Sequence, residues 1–236
     1  MLSEAFRILR TNMAFLTKGN PDTKVLMTTS FNVSAGKTFI SRNLAMSLAF
    51  ANKKVCMVDL DLRKGTLTGH ENRRIKGVTN YLIDLAMTLD DIIKTDHICD
   101  KVDIIPAGTM APNPAELLMS ERLDDMIKEL KARYDYIIVD SVPVGIVADA
   151  SITNRIADLT LFILRIGRLD KRQLPDLEEL YEGKKLTNMA LILNGSNPRK
   201  QQYGYGYGYG YGYGYGYGYG YGNEKKRSWL QNLKNI

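Results

Sequence analysis

VLMTTSFNVSAGKTFISR, residues 25–42, decides how this chain is read. Val25–Met27 begin an apolar run, and Thr28 and Thr29 still suit a strand. Phe31–Ala35 lack periodicity and predict a loop. Gly36, Lys37 and Thr38 follow, and Ile40, Leu44, Ala45 and Leu48 recur at helical spacing. Strand, loop, Gly-Lys-Thr and helix form the context that a phosphate-binding loop requires. Loop N–H groups and the helix N-terminus can cradle phosphate oxygens. In such a loop Lys37 reaches the β- and γ-phosphates, and the Thr38 hydroxyl ligates Mg²⁺. The first glycine of the full motif belongs at position 31, where Phe31 stands. Gly-Lys-Thr alone is equally compatible with a plain helix N-terminus carrying a solvated lysine.

Downstream, Val55–Asp59 reads as a second buried strand ending in the acidic pair Asp59 and Asp61. Parallel strands are continuously apolar, and their C-terminal ends open onto the ligand edge. Both carboxylates are therefore expected beside the phosphate loop, where they could hold Mg²⁺ and orient or deprotonate an incoming hydroxyl. Arg63 and Lys64 follow and could balance phosphate charge; a simple strand-end turn is the plain alternative. A third strand, Tyr136–Val139, runs into Asp140, the Walker B position, which would share the metal with Thr38. Three such features at strand ends point to nucleoside triphosphate chemistry.

The remaining elements fit an α/β fold. Upstream, Leu2–Phe15 is predicted as an amphipathic helix with Phe6, Leu9, Met13 and Leu16 as its apolar stripe. Glu4, Arg7 and Arg10 share its other side, either as a solvated face or as a charged docking surface. Gly19, Asn20, Pro21 and Asp22 break the chain before the first strand. Thr79–Leu85 predicts a short helix and Val102–Ile105 a short strand. Ala115–Ala132 predicts one long helix with Leu118, Leu123, Met126, Ile127 and Leu130 buried. Val144–Ile156 contains a further helix, Leu159–Ile166 a strong strand, Asp170–Glu182 a helix, and Met189–Leu193 a last strand before Asn194 and Gly195. This alternation predicts a P-loop NTPase-type, mostly parallel sheet with helices on both faces.

Composition narrows the class. The 236 residues suit one domain of ordinary size. The formal net charge of +6 is modest, and Lys225, Lys226, Arg227 and Lys234 at the C-terminal end supply much of it. It carries no nucleic-acid footprint. Cys56 and Cys99 belong to no metal-ligand cluster and fit a reducing compartment, and His70 and His97 read as ordinary surface residues. No apolar run approaches the eighteen residues of a membrane span, although a membrane-embedded portion could lie upstream if this is a fragment.

Residues 203–222 are ten Tyr-Gly pairs. Glycine makes ordering expensive, so a flexible tail is expected. It could serve as a linker or as a self-associating β-prone tract. Ten phenols exceed what a linker needs, and glycine on both sides leaves each one open for group transfer. The candidate acceptors are Tyr203, Tyr205, Tyr207, Tyr209, Tyr211, Tyr213, Tyr215, Tyr217, Tyr219 and Tyr221. Residues 224–236, EKKRSWLQNLKNI, return to basic and apolar character, with Trp229, Leu230, Leu233 and Ile236 able to dock as a short helix.

Taken together, these motifs resemble the bacterial tyrosine autokinases of the polysaccharide co-polymerase type. EAFRILRTNM at 4–13 resembles their oligomerisation helix, with Glu4, Arg7 and Arg10 at its charged positions. SFNVSAGKT at 30–38 resembles their Walker A loop, VCMVDLDLRKG at 55–65 their variant second motif, and YDYIIVDSVP at 134–143 their Walker B. A tyrosine-rich C-terminal cluster is their autophosphorylation substrate. The resemblance implies ATP and Mg²⁺, with Lys37, Asp59, Asp61 and Asp140 catalytic and Thr38, Asp59 and Asp140 at the metal. Asp59 would be the carboxylate nearest metal and tyrosine, with Asp61 supporting it. Ser34, Ala35, Gly36, Lys37, Thr38, Phe39, Arg63 and Asn194 are the expected nucleotide contacts.

The resemblance further implies a ring-shaped homo-oligomer, often an octamer, in which one subunit's tail enters the next subunit's site. It implies a transmembrane chain-length regulator, fused or separate, a cognate tyrosine phosphatase, and a place on the cytoplasmic face of the bacterial inner membrane. The expected segments are an oligomerisation helix (1–18), a kinase core (19–200), the autophosphorylation tail (201–223) and the basic segment (224–236). One departure stands out: relatives usually read Pro-Gly-Glu where this chain has Val33, Ser34 and Ala35, which bears on rate more than on fold. Two rival readings remain at this point. Partitioning-type ATPases resemble KGGxGKT in this loop, with a signature lysine where Asn32 stands. A nucleotide-binding assembly module would transfer no phosphate.

Overall fold

In the computed structural model the described residues are 2–17, 20–65, 67, 75–95, 99–144 and 149–196. The Tyr-Gly tail, the 224–236 segment, His70 and His97 lie outside them. Seven strands form one sheet: β1 (Val25–Thr29), β2 (Val55–Asp59), β3 (Lys94–Thr95), β4 (Val102–Ile105), β5 (Tyr136–Asp140), β6 (Leu159–Arg165) and β7 (Ala190–Asn194). Their order across the sheet is β3-β4-β2-β5-β1-β6-β7. All neighbours pair in parallel except the two-residue edge strand β3, which is antiparallel to β4.

Continuous apolar runs make these strands, because both faces of the sheet are covered. β1 and β2 are buried at every position. Alternation then divides the core. Leu26, Met57, Ile138 and Ile163 face α2 (Lys37–Ala49) and, beyond it, α1 (Leu2–Leu16). Met27, Val58, Val139 and Phe162 face the opposite layer, with α6 (Glu121–Arg133) and α8 (Leu174–Glu182). Each fully buried aliphatic side chain is worth about 1.5–3 kcal/mol.

The expected helix over 115–132 is two helices, α5 (Pro114–Met119) and α6. Ser120 is extended between them, and its hydroxyl donates to the Leu117 carbonyl at 2.7 Å. Serine competes with helical hydrogen bonding in this way. Arg155 then takes the Leu118 and Ser120 carbonyls that the break exposes. The short helix near 79–85 is α3 (Val78–Ile83), followed by α4 (Leu89–Ile92), and α7 (Asp149–Thr153) passes into a 3-10 turn at Asn154–Ile156. The helix expected from Asp170 opens with a 3-10 turn at Lys171–Gln173 before α8, whose first turn holds Pro175. On α1, Phe6 and Met13 are buried as expected, whereas Leu16 is 57% exposed. It is the last residue of α1.

Candidate active site

Parallel pairing brings the ends of β1, β2 and β5 to one edge, where Asp59 and Asp140 are register partners. The chain leaves β1 through Ser30–Ala35 and enters α2 at Lys37. Gly36 caps that helix at φ 102°, a left-handed conformation that suits glycine. A Cβ there would lie 2.2 Å from Asn194 Nδ2, so side-chain-free backbone is required on steric grounds as well.

A cavity of about 390 Å³ opens at this edge. Ser34, Gly36, Lys37, Thr38 and Phe39 line one side, Asp61, Arg63 and Lys64 another, and Val142 and Pro143 a third. Lys37 Nζ lies 3.5 Å from Ser30 Oγ. Burial lowers the Lys37 pKa, against the opposing pull of Asp140 and Asp61, while Lys64 lowers it further. A cation so placed gains from an anionic ligand.

Thr38 Oγ1 donates to Asp140 Oδ2 at 2.6 Å, joining the helix start to the end of β5. Thr28 Oγ1 lies 3.2 Å from Asp140 Oδ1 and 2.8 Å from Ser41 Oγ. Asp140 is 1% exposed. Burial pushes its pKa up to about 6, although Thr38, Lys37 and Thr28 favour the carboxylate.

The two residues of the second acidic motif differ sharply. Asp59 is fully buried, and its oxygens accept the backbone N–H groups of Asp61 at 3.0 Å and Leu67 at 2.9 Å. Burial and the neighbouring Asp140 hold its pKa well above the usual carboxylate range, against those two N–H donors. It shapes the chain after β2 and does not line the cavity. Asp61 does line it and also accepts the Lys64 N–H at 3.0 Å. Asp59, expected nearest metal and tyrosine, thus lies behind the cavity wall, and Asp61, expected to support it, stands at the wall.

Asn194 likewise stands outside the wall. Its Nδ2 donates to the Ala35 carbonyl at 2.8 Å, so its contact is with the loop. Ala35 itself is buried. Arg165, which sequence reasoning passed over, donates from NH1 to the Ser34 carbonyl at 2.8 Å. Its available signal was an arginine closing an otherwise apolar strand run. Thr28 is visible in the sequence as a hydroxyl inside an apolar strand, but its contact with Asp140, 112 residues away, is non-local. Asn32 donates to Gln173 Oε1 at 3.0 Å.

The charged positions of α1 sit on the α2 side of this region. Glu4 and Arg7 pair with each other at 3.3 Å and are both well exposed. Arg10 donates to the Ser47 carbonyl, and Ser47 Oγ donates to the Phe6 carbonyl, so α1 is pinned on α2. Phe6 also meets Phe39 edge-on, with ring centroids 6.0 Å apart. One ring of the cavity wall therefore rests on α1.

Comparison with known proteins agrees with this geometry. A family described as an AAA domain matches residues 24–166. The tyrosine-protein kinase CpsD of Streptococcus agalactiae serotype III is 35% identical over 203 residues, covering 85% of each chain. The solved kinase domain of the Escherichia coli tyrosine kinase ETK superposes with a TM-score of 0.73 at 31% identity, covering 89% of this chain and 80% of that one. The septum site-determining protein MinD of Pyrococcus horikoshii, solved with Mg-ADP, shares the fold at a TM-score of 0.57 and 23% identity, covering 75% of this chain and 72% of that one. With a phosphate-loop site at the sheet edge and this degree of likeness, the chain belongs to the bacterial tyrosine-protein kinase family.

Proposed function

We propose that this kinase transfers the γ-phosphoryl group of ATP to tyrosines of its own C-terminal tail, with Tyr203–Tyr221 as acceptors and a neighbouring subunit's cavity as the usual site. The observation that carries the reading is the cavity lined by Lys37, Thr38 and Asp61, with Asp140 held behind its wall by the Thr38 hydroxyl. Backbone N–H groups of the Ser34–Thr38 loop and the Lys37 ammonium bind the phosphates. Arg63 adds charge at the same wall, and Phe39, Val142 and Pro143 offer apolar surface.

Asp61 faces the incoming phenol and is placed to accept its proton as the new oxygen–phosphorus bond forms and ADP departs. Asp59 holds the chain that carries Asp61. The donor set also fits Mg²⁺: Thr38 and Asp140 with Asp61 nearby are all-oxygen ligands. Among the described residues no cluster of three His, Cys, Asp or Glu could hold a metal. One or two carboxylates completed by substrate phosphates is the usual Mg²⁺ arrangement. When bound, Mg²⁺ would neutralise phosphate charge and align the leaving group. The position of the partitioning ATPases' signature lysine is taken here by Asn32 in its contact with Gln173, which favours the kinase reading over that one.

A homo-oligomeric ring fits the exposed apolar side chains of α1 and of the residue that follows α2. Ile8 is 54%, Phe15 75% and Phe50 68% exposed. Glu4 and Arg7 supply exposed charge to fix register with a neighbour, while Arg10 holds α1 in place from within. Replacing Glu4 and Arg7 by alanine should therefore shift the protein toward monomer in light scattering. An unchanged mass from a demonstrated oligomer would remove that role. No helix among the described residues is long and apolar enough to cross a membrane. We place the kinase at the cytoplasmic face of the bacterial inner membrane, working with a transmembrane chain-length regulator in exopolysaccharide or capsule export and reset by a tyrosine phosphatase.

Transfer between subunits has a direct test. A glycine-rich chain of twenty residues spans roughly 20–30 Å, enough to enter a neighbouring site. Each phosphate then adds about −1.5 to −2 charge, so accumulated phosphates should repel one another and the acidic cavity rim and loosen the ring. A Lys37→Met chain with its tail is mixed with an active chain ending at Gln202. Labelling of the inactive partner, faster at higher protein concentration, is expected. Labelling confined to active full-length chains at a concentration-independent rate would rule transfer between subunits out. A fully phosphorylated sample of unchanged oligomeric mass would rule out the loosening.

A further inference from the structure

We propose that Arg165 and Asn194 are positioning residues: together they hold the phosphate loop in its binding shape and do the work that glycine at position 34 would otherwise do. The proposal rests on the reading of this loop as the ATP phosphate site.

Two residues of the loop are left-handed, Ser34 at φ 59° and Gly36 at φ 102°. Glycine adopts that conformation freely, whereas serine adopts it at a cost and keeps it only when its surroundings enforce it. The enforcement is visible. Arg165 NH1 donates to the Ser34 carbonyl and Asn194 Nδ2 to the Ala35 carbonyl, each at 2.8 Å. These two side chains close β6 and β7 and are register partners across the strand pair. The Ile166 N–H donates to the Asn194 carbonyl at 2.9 Å and locks the two strand ends together. Both side chains are half-buried, and neither lines the cavity.

Peptide planarity supplies the consequence. In a trans peptide the carbonyl and the following N–H point in opposite directions. Drawing the Ser34 carbonyl toward Arg165 therefore turns the Ala35 N–H away from β6. Drawing the Ala35 carbonyl toward Asn194 does the same for the Gly36 N–H. Successive N–H groups presented on one side of such a turn form an anion-binding concavity. The strand ends thus set the direction of two phosphate donors from behind, without touching the ligand. Gly36 completes the device, because any side chain there would displace the Asn194 amide.

The test crosses Arg165 with Ser34 and reads both nucleotide affinity and kinetics. Titration of the purified full chain with a fluorescent ADP in Mg²⁺ buffer should show Arg165→Ala binding about 10-fold more weakly, the scale of a lost charge-assisted hydrogen bond. Its KM for ATP should rise by a similar factor, with kcat changed less. Arg165→Lys, which keeps a cationic donor and guards against a folding artefact, should recover part of the loss. Ser34→Gly in the Arg165→Ala background should restore affinity, because glycine needs no enforcement at that φ. Unchanged affinity in Arg165→Ala would overturn the proposal, and so would an equal loss with Ser34 and with glycine at that position. A wild-type chain that binds no nucleotide at all would instead remove the ATP-site reading on which the clamp depends, and the clamp with it.

Discussion

Replacing Lys37 by methionine should lower tyrosine phosphorylation by about 100- to 1000-fold, the range found when a single preorganised charge-stabilising donor is removed. Lys37 begins α2 and lines the cavity, and burial already disfavours its charge. Its ammonium is therefore held at a cost that Asp140 and Asp61 offset in part and that an anionic ligand would offset further. Methionine matches the length of the side chain and removes the charge, so α2 should remain intact and the thermal transition should stay close to that of the parent. The check is phosphotyrosine formed by the purified variant, free of host kinases and compared at equal protein concentration. Robust phosphorylation by that variant would remove Lys37 from the reaction.

Asp140→Asn should produce two effects of opposite sign. Activity should fall by at least about 100-fold, because the carboxylate that faces Thr38 and would share the metal is gone. Stability of the nucleotide- and metal-free protein should move the other way at neutral pH. The folded-state pKa of Asp140 is pushed up to about 6 from an ordinary value of 3.8. Between those values the folded state binds more protons than the unfolded state, so folding stability falls as pH rises through that window. The shift corresponds to something on the order of 2–3 kcal/mol above pH 6. Asparagine does not titrate. The parent should therefore lose stability relative to the variant between about pH 4 and pH 6, and the two should converge toward lower pH. Melting curves across that range in the presence of a chelator check it; parallel profiles would contradict the assignment of the strain to Asp140.

Much of this site is legible in the sequence. Apolar runs ending in Asp59 and Asp140, and a run opening into Gly36-Lys37-Thr38, are local patterns, and parallel strands necessarily bring their ends to one edge. What escaped is non-local. Arg165 is 131 residues from Ser34 and Asn194 is 159 residues from Ala35, and no periodicity reports which loop carbonyl a strand-end side chain will meet. The order of Asp59 and Asp61 escaped for a related reason. Which of two nearby carboxylates faces the cavity depends on the loop after β2, where the Leu67 N–H returns to Asp59. The break at Ser120 carries its own signal, because Leu118 and Leu123 are five residues apart, off the spacing of three or four that one helix face requires, and the serine hydroxyl competes for a helical carbonyl.

Ser34 connects the sequence departure to a physical cost. Where the family resemblance leads one to expect glycine, this chain places serine at φ 59° and holds the carbonyls of Ser34 and Ala35 from two strand ends. The departure is thus compensated within the fold, by residues far away in sequence.

The most direct measurement of the central claim is the intact mass of the purified, phosphatase-treated chain followed over time with ATP and Mg²⁺. The account predicts several successive phosphate additions, all on tyrosine, and none on the same chain ended at Gln202. A mass that never changes while ATP remains bound would contradict it and leave a nucleotide-binding module in place of a kinase.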